Sequence, residues 1–230
     1  PDIGGSRASM ALMASEVLGI PFEHIHPQVA PTDSVGHTDV TGGSRTTLTT
    51  GQAVIQAAEQ CVAELCRRAA AEWDVEVGVV AWAQGAAHYA EQTLTFEELA
   101  ARAGSMGGPL TFSSSLTSSS TAPGFGVHIC DAEVDKETGR TTITRYTAIQ
   151  DAGKAIHPDY VEGQMQGGAA QGIGWALNEE YLYNENGALE NPGFLDYRIP
   201  VASDLPFIDT VIVEVPNPVS YTHLTLPTKV

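Results

Sequence analysis

The chain has 230 residues, of which 43% are hydrophobic and 17% are charged, and its mean hydropathy is close to zero. This length and composition suit one large or two small folded domains and differ from those of disordered chains. Eleven basic residues stand against 28 acidic ones, a formal net charge of −17, and no segment concentrates Lys or Arg. The charge argues against binding to a nucleic acid backbone or to an anionic membrane surface.

The sequence shows no membrane-spanning segment, no export signal and no cysteine pattern typical of a zinc site or a set of disulfides. No apolar run reaches the roughly 18 to 20 residues that a membrane-spanning helix needs, so we expect a soluble chain. We expect its location to be cytoplasmic. The sequence opens on Pro1 without an initiator Met, which suggests that the natural N-terminus, and any export signal with it, is missing.

The cysteines Cys61, Cys66 and Cys130 show neither zinc-site spacing nor an even count for disulfides, so we predict buried free thiols and no metal ligands.

Two helices are predicted in the first 75 residues. Ala8–Leu18 is rich in Ala, Met and Leu, and Gly19 after it is typical of a helix end. A short strand is expected at Glu23–Pro27, before a loop rich in Pro, Thr, Asp and Gly. A long helix is predicted from Thr46 to Trp73. Its apolar stripe recurs every three or four residues, at Val54, Ala58, Cys61, Leu65 and Ala69.

Shorter elements follow, and then a segment that we take as the approximate boundary between two subdomains. Val75–Tyr89 predicts a β-hairpin, and Thr95 opens a short helix with an acidic first turn. Residues 104–122 are rich in Gly, Ser and Thr, as linkers are, but contain enough apolar residues to suggest a strand in part. We therefore divide the chain into subdomains 1–104 and 105–218.

The second subdomain contains the clearest hairpin, Val127–Asp135 with Arg140–Gln150, in which Gly139 suits a left-handed turn residue. A Gly- and Gln-rich segment, Gly163–Gly174, runs into a helix, and strands are predicted at Phe194–Ile199 and Ile208–Val215. Strands and helices come in mixed clusters, which favours an α+β fold of mixed sheets with packed helices over a doubly wound sheet.

The last twelve residues, Val219–Val230, differ in composition from the rest of this acidic chain because they contain no acidic residue. They alternate Thr and Leu before Pro227. An ordinary C-terminal strand is one interpretation, and a tail left by cloning or sequencing is the other. We expect the tail to be non-native.

Two Gly-rich loops share the string Gly-Gly-Ser-Arg, at Gly4–Arg7 and at Gly42–Arg45, and each precedes a predicted helix. Backbone N–H groups at a helix start can bind an anion, and glycine lets the backbone approach it closely. A chain with few basic residues would hold phosphate mainly through such neutral donors. Plain turns are the alternative interpretation.

The segment Gly163–Gly172 places three glutamines among glycines. Uncharged amides can pair with the edge of a heterocycle, whereas the alternative is a small-residue helix packed closely on a neighbour. His157, just upstream, is expected to stabilise its loop. No serine-hydrolase elbow, P-loop or zinc-protease motif is present. The nearby carboxylates are expected to be solvated: Asp151, Asp159, Glu162, Glu179 and Glu180.

Several motifs in the same order resemble the molybdopterin-binding large subunit of the xanthine dehydrogenase and aldehyde oxidase family. They extend from Pro1 to about Pro218, so the resemblance covers most of the chain. The matching stretches are Thr41–Arg45, Gly51–Val54, Val127–Asp131, Gln150–Pro158, Val161–Gly174 and Asn191–Arg198.

The resemblance implies a fragment of a molybdenum hydroxylase that oxidises aldehydes or N-heteroaromatic compounds with oxygen from water. It implies a molybdenum-molybdopterin cofactor, in the cytosine dinucleotide form, with no protein side chain on the metal. Iron–sulfur and FAD centres are expected on separate small and medium partner subunits, which makes a hetero-oligomer. A non-catalytic scaffold and a generic phosphate-binding module remain the alternatives.

The resemblance also assigns residues. The pterin turn falls at Gly4 and Gly5, where this chain has Gly4 in place of the family's Gln. The loop for the phosphate and pterin falls at Thr41, Gly42, Gly43, Ser44, Arg45 and Thr46. Gln164 aligns with a glutamine beside the pterin. The family's catalytic Glu, in a Gly-Val-Gly-Glu turn expected shortly after Pro218, is not found here, so no catalytic residue is assigned and the fragment is expected to be inactive alone.

Overall fold

A computed structural model describes residues 6–29, 31–33, 35–38, 46–116 and 124–215. The chain divides into two compact units, Pro1–Ser119 and Ser120–Val230. Both units contain helices and a three-stranded sheet, which is antiparallel in the first unit and mixed in the second. The α+β prediction is therefore confirmed.

Two packed helices and a small sheet form the first unit. Helix α1 spans Ser6–Leu18, and α2 spans Gly51–Trp73 directly after one π-helical turn, Thr46–Thr50. The long helix predicted from Thr46 to Trp73 is thus confirmed. Its stripe is only partly buried, since Val54 and Cys61 remain half-exposed.

An antiparallel three-stranded sheet follows α2. Strands β1 (Ala81–Ala83), β2 (Ala86–Tyr89) and β3 (Gln92–Thr95) are neighbours in that order. Helix α3 (Phe96–Ala101) begins with a capping box in which the Thr95 N–H donates to Glu98 at 2.8 Å. The core contacts of this unit come from α2, α3 and the sheet, at Leu65, Ala69, Ala87, Leu94 and Leu99.

The second unit places one long helix on a mixed sheet. Strand β4 (Gly126–Val134) pairs antiparallel with β5 (Thr141–Asp151), which pairs parallel with β6 (Ile208–Val213). Helix α4 (Pro158–Leu177) lies between β5 and β6 in sequence and contacts both. Its buried residues recur every four positions and pack on the sheet: Val161, Met165, Ala169 and Ile173.

The hairpin of β4 and β5 confirms its prediction, since Gly139 in its turn has a φ of +73°. Three other predictions were wrong. Residues Phe22–His24 form a 3-10 turn where a strand was expected, and Phe194–Ile199 form turns. The first hairpin begins only at Ala81, because Val77–Val79 form an exposed 3-10 turn.

The structure also differs from the sequence-based prediction in the linker and in the glycine-rich segment. The described part of the linker, residues 104–116, contains no strand. The segment Gly163–Gly174 lies wholly inside α4, which begins five residues earlier than that segment, at Pro158. Among the described residues, no helix has the length and apolar character needed to cross a membrane.

Candidate functional site

The start of α2 is held against α1. Gly51 begins α2, and a Cβ built on it would lie 2.5 Å from Sδ of the buried Met13. A side chain at position 51 would require the flexible end of Met13 to move. Thr47, in the π-helical turn, is 2% exposed. The chain that leaves the predicted phosphate loop therefore enters a tightly packed helix start.

Thr49 in the same turn has a buried side-chain hydroxyl. Its Oγ1 has no hydrogen-bond partner among the described residues. Leaving a buried hydroxyl unpaired costs about 1–3 kcal/mol, so such groups are uncommon in native proteins. The geometry gives the first turn of this helix one polar atom that an added ligand could satisfy.

Most of the predicted loop residues lie outside the described part of the chain. This applies to Gly4 and Gly5 of the first loop and to every residue of the second loop before Thr46. Thr46 is half-buried in the π-helical turn. The interactions of these loops stay predictions.

Helix α4 contributes the other predicted contact, Gln164, which is half-buried in its second turn. Four glycines of α4 are exposed, and a Cβ built on any of them would meet no atom of the described chain within 4 Å: Gly163, Gly167, Gly168 and Gly172. Close packing of these glycines on a neighbour, the alternative left open by the sequence, is therefore not found among the described residues. Only Gly174 packs closely, against Pro200.

Two carboxylates hold the loop that leads into α4. Asp151 Oδ1 accepts from the Gly153 N–H at 2.9 Å, and Glu214 Oε1 accepts from the Ala155 N–H at 2.7 Å. Sequence reasoning treated Asp151 as a solvated carboxylate and found no structural role for Glu214. Both act as backbone acceptors instead, so the loop before α4 is tied to its neighbouring strands.

His157 occupies the N-cap position of α4. Its ring stacks on that of Tyr160, with centroids 4.0 Å apart and planes within 9° of parallel. Nδ1 of this histidine is buried without a hydrogen-bond partner among the described residues. Within that part of the chain, no group of three or more His, Cys, Asp or Glu side chains is placed to hold a metal ion.

Two other carboxylates of the described chain, Glu179 and Glu64, have hydrogen-bond partners. Glu179 accepts a hydrogen bond from the Tyr197 hydroxyl at 2.8 Å, which raises the pKa of Tyr197. Glu64 binds Arg67 and Arg68 at 2.7 and 2.8 Å. These two arginines are therefore engaged with a carboxylate.

A sequence model of the molybdopterin cofactor-binding domain matches residues 1–206. The chain belongs to this family. The match covers both units of the fold and confirms the resemblance to xanthine dehydrogenase-like proteins. Both the Thr49 turn and α4 lie inside the matched range.

Named relatives agree with this assignment. The xanthine dehydrogenase molybdenum-binding subunit of Escherichia coli O157:H7 is 38% identical over 122 residues, 52% of this chain and 16% of that subunit. The nicotine 6-hydroxylase large subunit of Paenarthrobacter nicotinovorans is 29% identical over 225 residues, 93% of this chain and 28% of that subunit. Reconstituted CO dehydrogenase from Oligotropha carboxidovorans has a TM-score of 0.85 at 27% identity, over 96% of this chain and 29% of that one. The chain thus spans less than a third of the length of each.

The described residues of this molybdopterin-binding domain fit the cofactor in two respects. The unpaired Thr49 hydroxyl supplies a polar atom at the helix start that follows the predicted phosphate loop. The exposed glycines of α4 leave open backbone beside Gln164, which a flat heterocycle could approach. Sequence reasoning missed Thr49, although the run Thr46–Thr50 holds four threonines and was a signal for it.

Proposed function

We propose that this chain binds a molybdenum-molybdopterin cofactor through residues 41–49 and the exposed face of α4. The match to the molybdopterin cofactor-binding domain over residues 1–206 carries the proposal. The Thr49 hydroxyl is buried and has no partner among the described residues, so a phosphate oxygen beside the helix start would supply its missing hydrogen bond once the groups that cover it move. The backbone N–H groups of Thr41–Thr46 would hold the phosphate end, together with the helix dipole. Gly4, Gly5 and Gln164 would contact the pterin.

When bound, the cofactor supplies the two-electron oxidation of an aldehyde or N-heteroaromatic carbon, with oxygen from water. The chain's own residues hold and orient it. No Gly-Val-Gly-Glu turn occurs in the sequence, and Glu214 already accepts a hydrogen bond from the Ala155 N–H. We therefore assign cofactor binding, and no base catalysis, to these residues, and expect no turnover by the chain alone.

The finer assignments rest on the family. We propose the cytosine dinucleotide form of the cofactor and a cytoplasmic hetero-oligomer with iron–sulfur and FAD subunits. One relative is a subunit of the 6-hydroxypseudooxynicotine dehydrogenase complex, which supports a multi-subunit assembly. Residues 1–104 would form the subdomain that holds the phosphate end, and 105–218 the subdomain that carries Gln164.

The proposal is tested by Thr49→Val, which keeps the shape of the side chain and removes the hydroxyl. We expect several-fold less molybdenum and pterin after purification from cells that synthesise the cofactor. The unfolding midpoint of the cofactor-free chain should stay equal or rise, because an unpaired buried hydroxyl is replaced by a methyl group. Metal analysis, pterin fluorescence after oxidation and thermal unfolding give the three values.

The matched control is Thr142→Val, the same change at an exposed position of β5. It should leave the molybdenum content unchanged. A Thr49→Val chain that retains full molybdenum and pterin would contradict the proposed contact. Absence of pterin from the unaltered chain would favour the scaffold interpretation.

A further inference from the structure

Three tyrosine rings lie side by side after α4 and form a tyrosine cluster of Tyr181, Tyr183 and Tyr197. Tyr181 stacks on Tyr197, with ring centroids 5.1 Å apart and planes 28° from parallel. Tyr183 lies farther from Tyr181, at 6.4 Å between centroids and a tilt of 46°. Aromatic rings attract each other at these distances. The fold therefore brings two phenol rings from separate parts of the chain into direct contact.

A carboxylate accepts the phenol hydrogen at the inner end of this cluster. The Tyr197 hydroxyl donates to Glu179 Oε2 at 2.8 Å, and the Tyr181 and Tyr197 hydroxyls lie within hydrogen-bonding reach of each other. The hydrogen bond to Glu179 is the main cause of the raised pKa of Tyr197, so this phenol keeps its proton. A positioned carboxylate at this distance is able to take that proton when the phenol becomes more acidic.

The tyrosine cluster is open to solvent on one side and held in place on the other. Tyr181 and Tyr183 are each 63% exposed, whereas Tyr197 is half-buried. Between the two exposed rings, the Leu182 N–H donates at 2.9 Å to Oδ1 of Asn191, which is only 6% exposed. A small reagent in solution can therefore reach rings whose backbone is fixed.

Tyr146 offers a comparison within the same unit. Its hydroxyl lies 2.9 Å from Nδ1 of His128, so this phenol also has a hydrogen-bond partner. The ring beside it is that of the same histidine, with centroids 5.6 Å apart. Among the described residues, no tyrosine ring contacts Tyr146. A phenol with both a carboxylate acceptor and a neighbouring phenol ring is found, within the described ranges, only in the tyrosine cluster.

We propose that the tyrosine cluster is an oxidative modification site at which two equivalents of a one-electron oxidant, such as an oxygen-centred radical, couple Tyr181 to Tyr197. One oxidant takes an electron from Tyr197 while the phenol proton passes to Glu179. The other takes an electron from Tyr181, whose phenol proton passes to water. The two radicals form one carbon–carbon bond between the ring carbons next to the hydroxyls. The hydrogen on each of these carbons then moves to the phenol oxygen, which gives dityrosine and two reduced oxidants.

This cross-link would join the segment after α4 to the segment that precedes β6. A covalent link between positions far apart in sequence restricts the unfolded chain, so the oxidised chain should unfold at a higher urea concentration. The inference goes beyond cofactor binding because the reaction takes place on the protein's own side chains and needs no bound cofactor.

The test oxidises the dilute, cofactor-free 230-residue chain with tris-bipyridine ruthenium(III) generated by light. We expect dityrosine fluorescence in the monomeric chain, and a pair of peptides containing Tyr181 and Tyr197 that is joined with the loss of two hydrogens. Peptide mass spectrometry identifies the joined residues. No dityrosine, a link between two chains, or a link of Tyr181 to Tyr183 would overturn the proposal.

Three variants test the parts of the tyrosine cluster separately. Tyr181→Phe keeps the stacked ring and should abolish the cross-link, because phenylalanine forms no phenoxyl radical. Glu179→Gln should lower its yield several-fold, because an amide is a weaker proton acceptor than a carboxylate. The matched control Tyr146→Phe also removes one hydrogen-bonded phenol hydroxyl and should leave the yield unchanged. An unchanged yield in Glu179→Gln would contradict the proposed proton transfer. Urea unfolding before oxidation shows whether each variant is folded.

Discussion

At the scale of single residues, Glu64 on α2 organises the charged contacts of the first unit. Its carboxylate accepts from Arg67 at 2.7 Å and from Arg68 at 2.8 Å, and Arg68 also donates to the Gly108 carbonyl at 3.0 Å. Arg68 is only 4% exposed. The hydrogen bond from Arg67, followed by that from Arg68, lowers the pKa of Glu64 to about 2. The cluster thereby ties the turn after α3 to α2.

This lowered pKa predicts a pH dependence of stability. The Glu64 contribution is fully present above the unfolded-chain pKa of 4.5 and is lost as the pH falls through the folded value of about 2. Glu64→Gln should lower the free energy of unfolding by about 1–3 kcal/mol at pH 7, and by less near pH 2. Urea unfolding at several pH values measures the difference, with the exposed Glu59→Gln on the same helix as control. A difference that does not change with pH would contradict this account.

The three cysteines should react at different rates. Cys66 is buried and Cys61 is half-buried, and burial raises the pKa of both thiols. At Cys61 the positive charge of Arg68 lowers the pKa, but by less than burial raises it. Cys130 on β4 is exposed, which corrects the expectation that all three are buried. Because the thiolate is the reactive form, we expect a thiol reagent to label Cys130 first. Peptide mass spectrometry identifies the site, and equal labelling of Cys61 and Cys130 in the native chain would refute the order. All three should react equally in denaturant.

At the scale of elements, the end of α1 packs on the hairpin of β1 and β2. Gly19 ends the helix with a φ of +68°, and its N–H donates to the Ser15 carbonyl at 2.8 Å. Trp82 Nε1 donates to the Leu18 carbonyl at 3.1 Å. A Cβ on Gly19 would overlap the backbone of Gly85. The helix end and the hairpin turn therefore need glycine at both contact points.

This contact predicts unequal effects of two Gly→Ala changes. Gly139→Ala places a side chain at a φ of +73° in open space and should cost about 1 kcal/mol, the strain of the left-handed conformation. Gly19→Ala adds a clash with backbone and should cost at least about 2–3 kcal/mol. Denaturant unfolding of both variants measures the difference. Equal losses would show that the helix end can move away from the hairpin.

The elements that the sequence predicted correctly are those with local signals. The short helix that Thr95 opens, the Gly139 turn and the end of α1 at Gly19 each depend on residues within four or five positions. The expected strands at Glu23–Pro27 and Phe194–Ile199 did not form. A strand needs a partner edge, and in the described residues no strand pairs with these segments.

At the scale of the whole molecule, the chain forms two units with separate cores, and each unit contains predicted cofactor contacts of its own. Thr46 and Thr49 belong to the first unit and Gln164 to the second. Among the described residues, one cluster of five buried apolar residues lies in the first unit, and two clusters, of four and three residues, lie in the second. The proposed contacts of each unit are therefore tested separately.

By itself, the sequence determined the long helix from Thr46 to Trp73, the main hairpin and the family, because periodicity, turn residues and linked motifs are local or ordered along the chain. Only the tertiary structure decided that β5 and β6 pair in parallel across α4, that the glycines of α4 stay exposed and that the Thr49 hydroxyl is buried without a partner. Those features depend on which surfaces meet in three dimensions. Periodicity indicates which face of an element is buried, but it does not indicate which strand is its partner or whether one particular hydroxyl or glycine is covered.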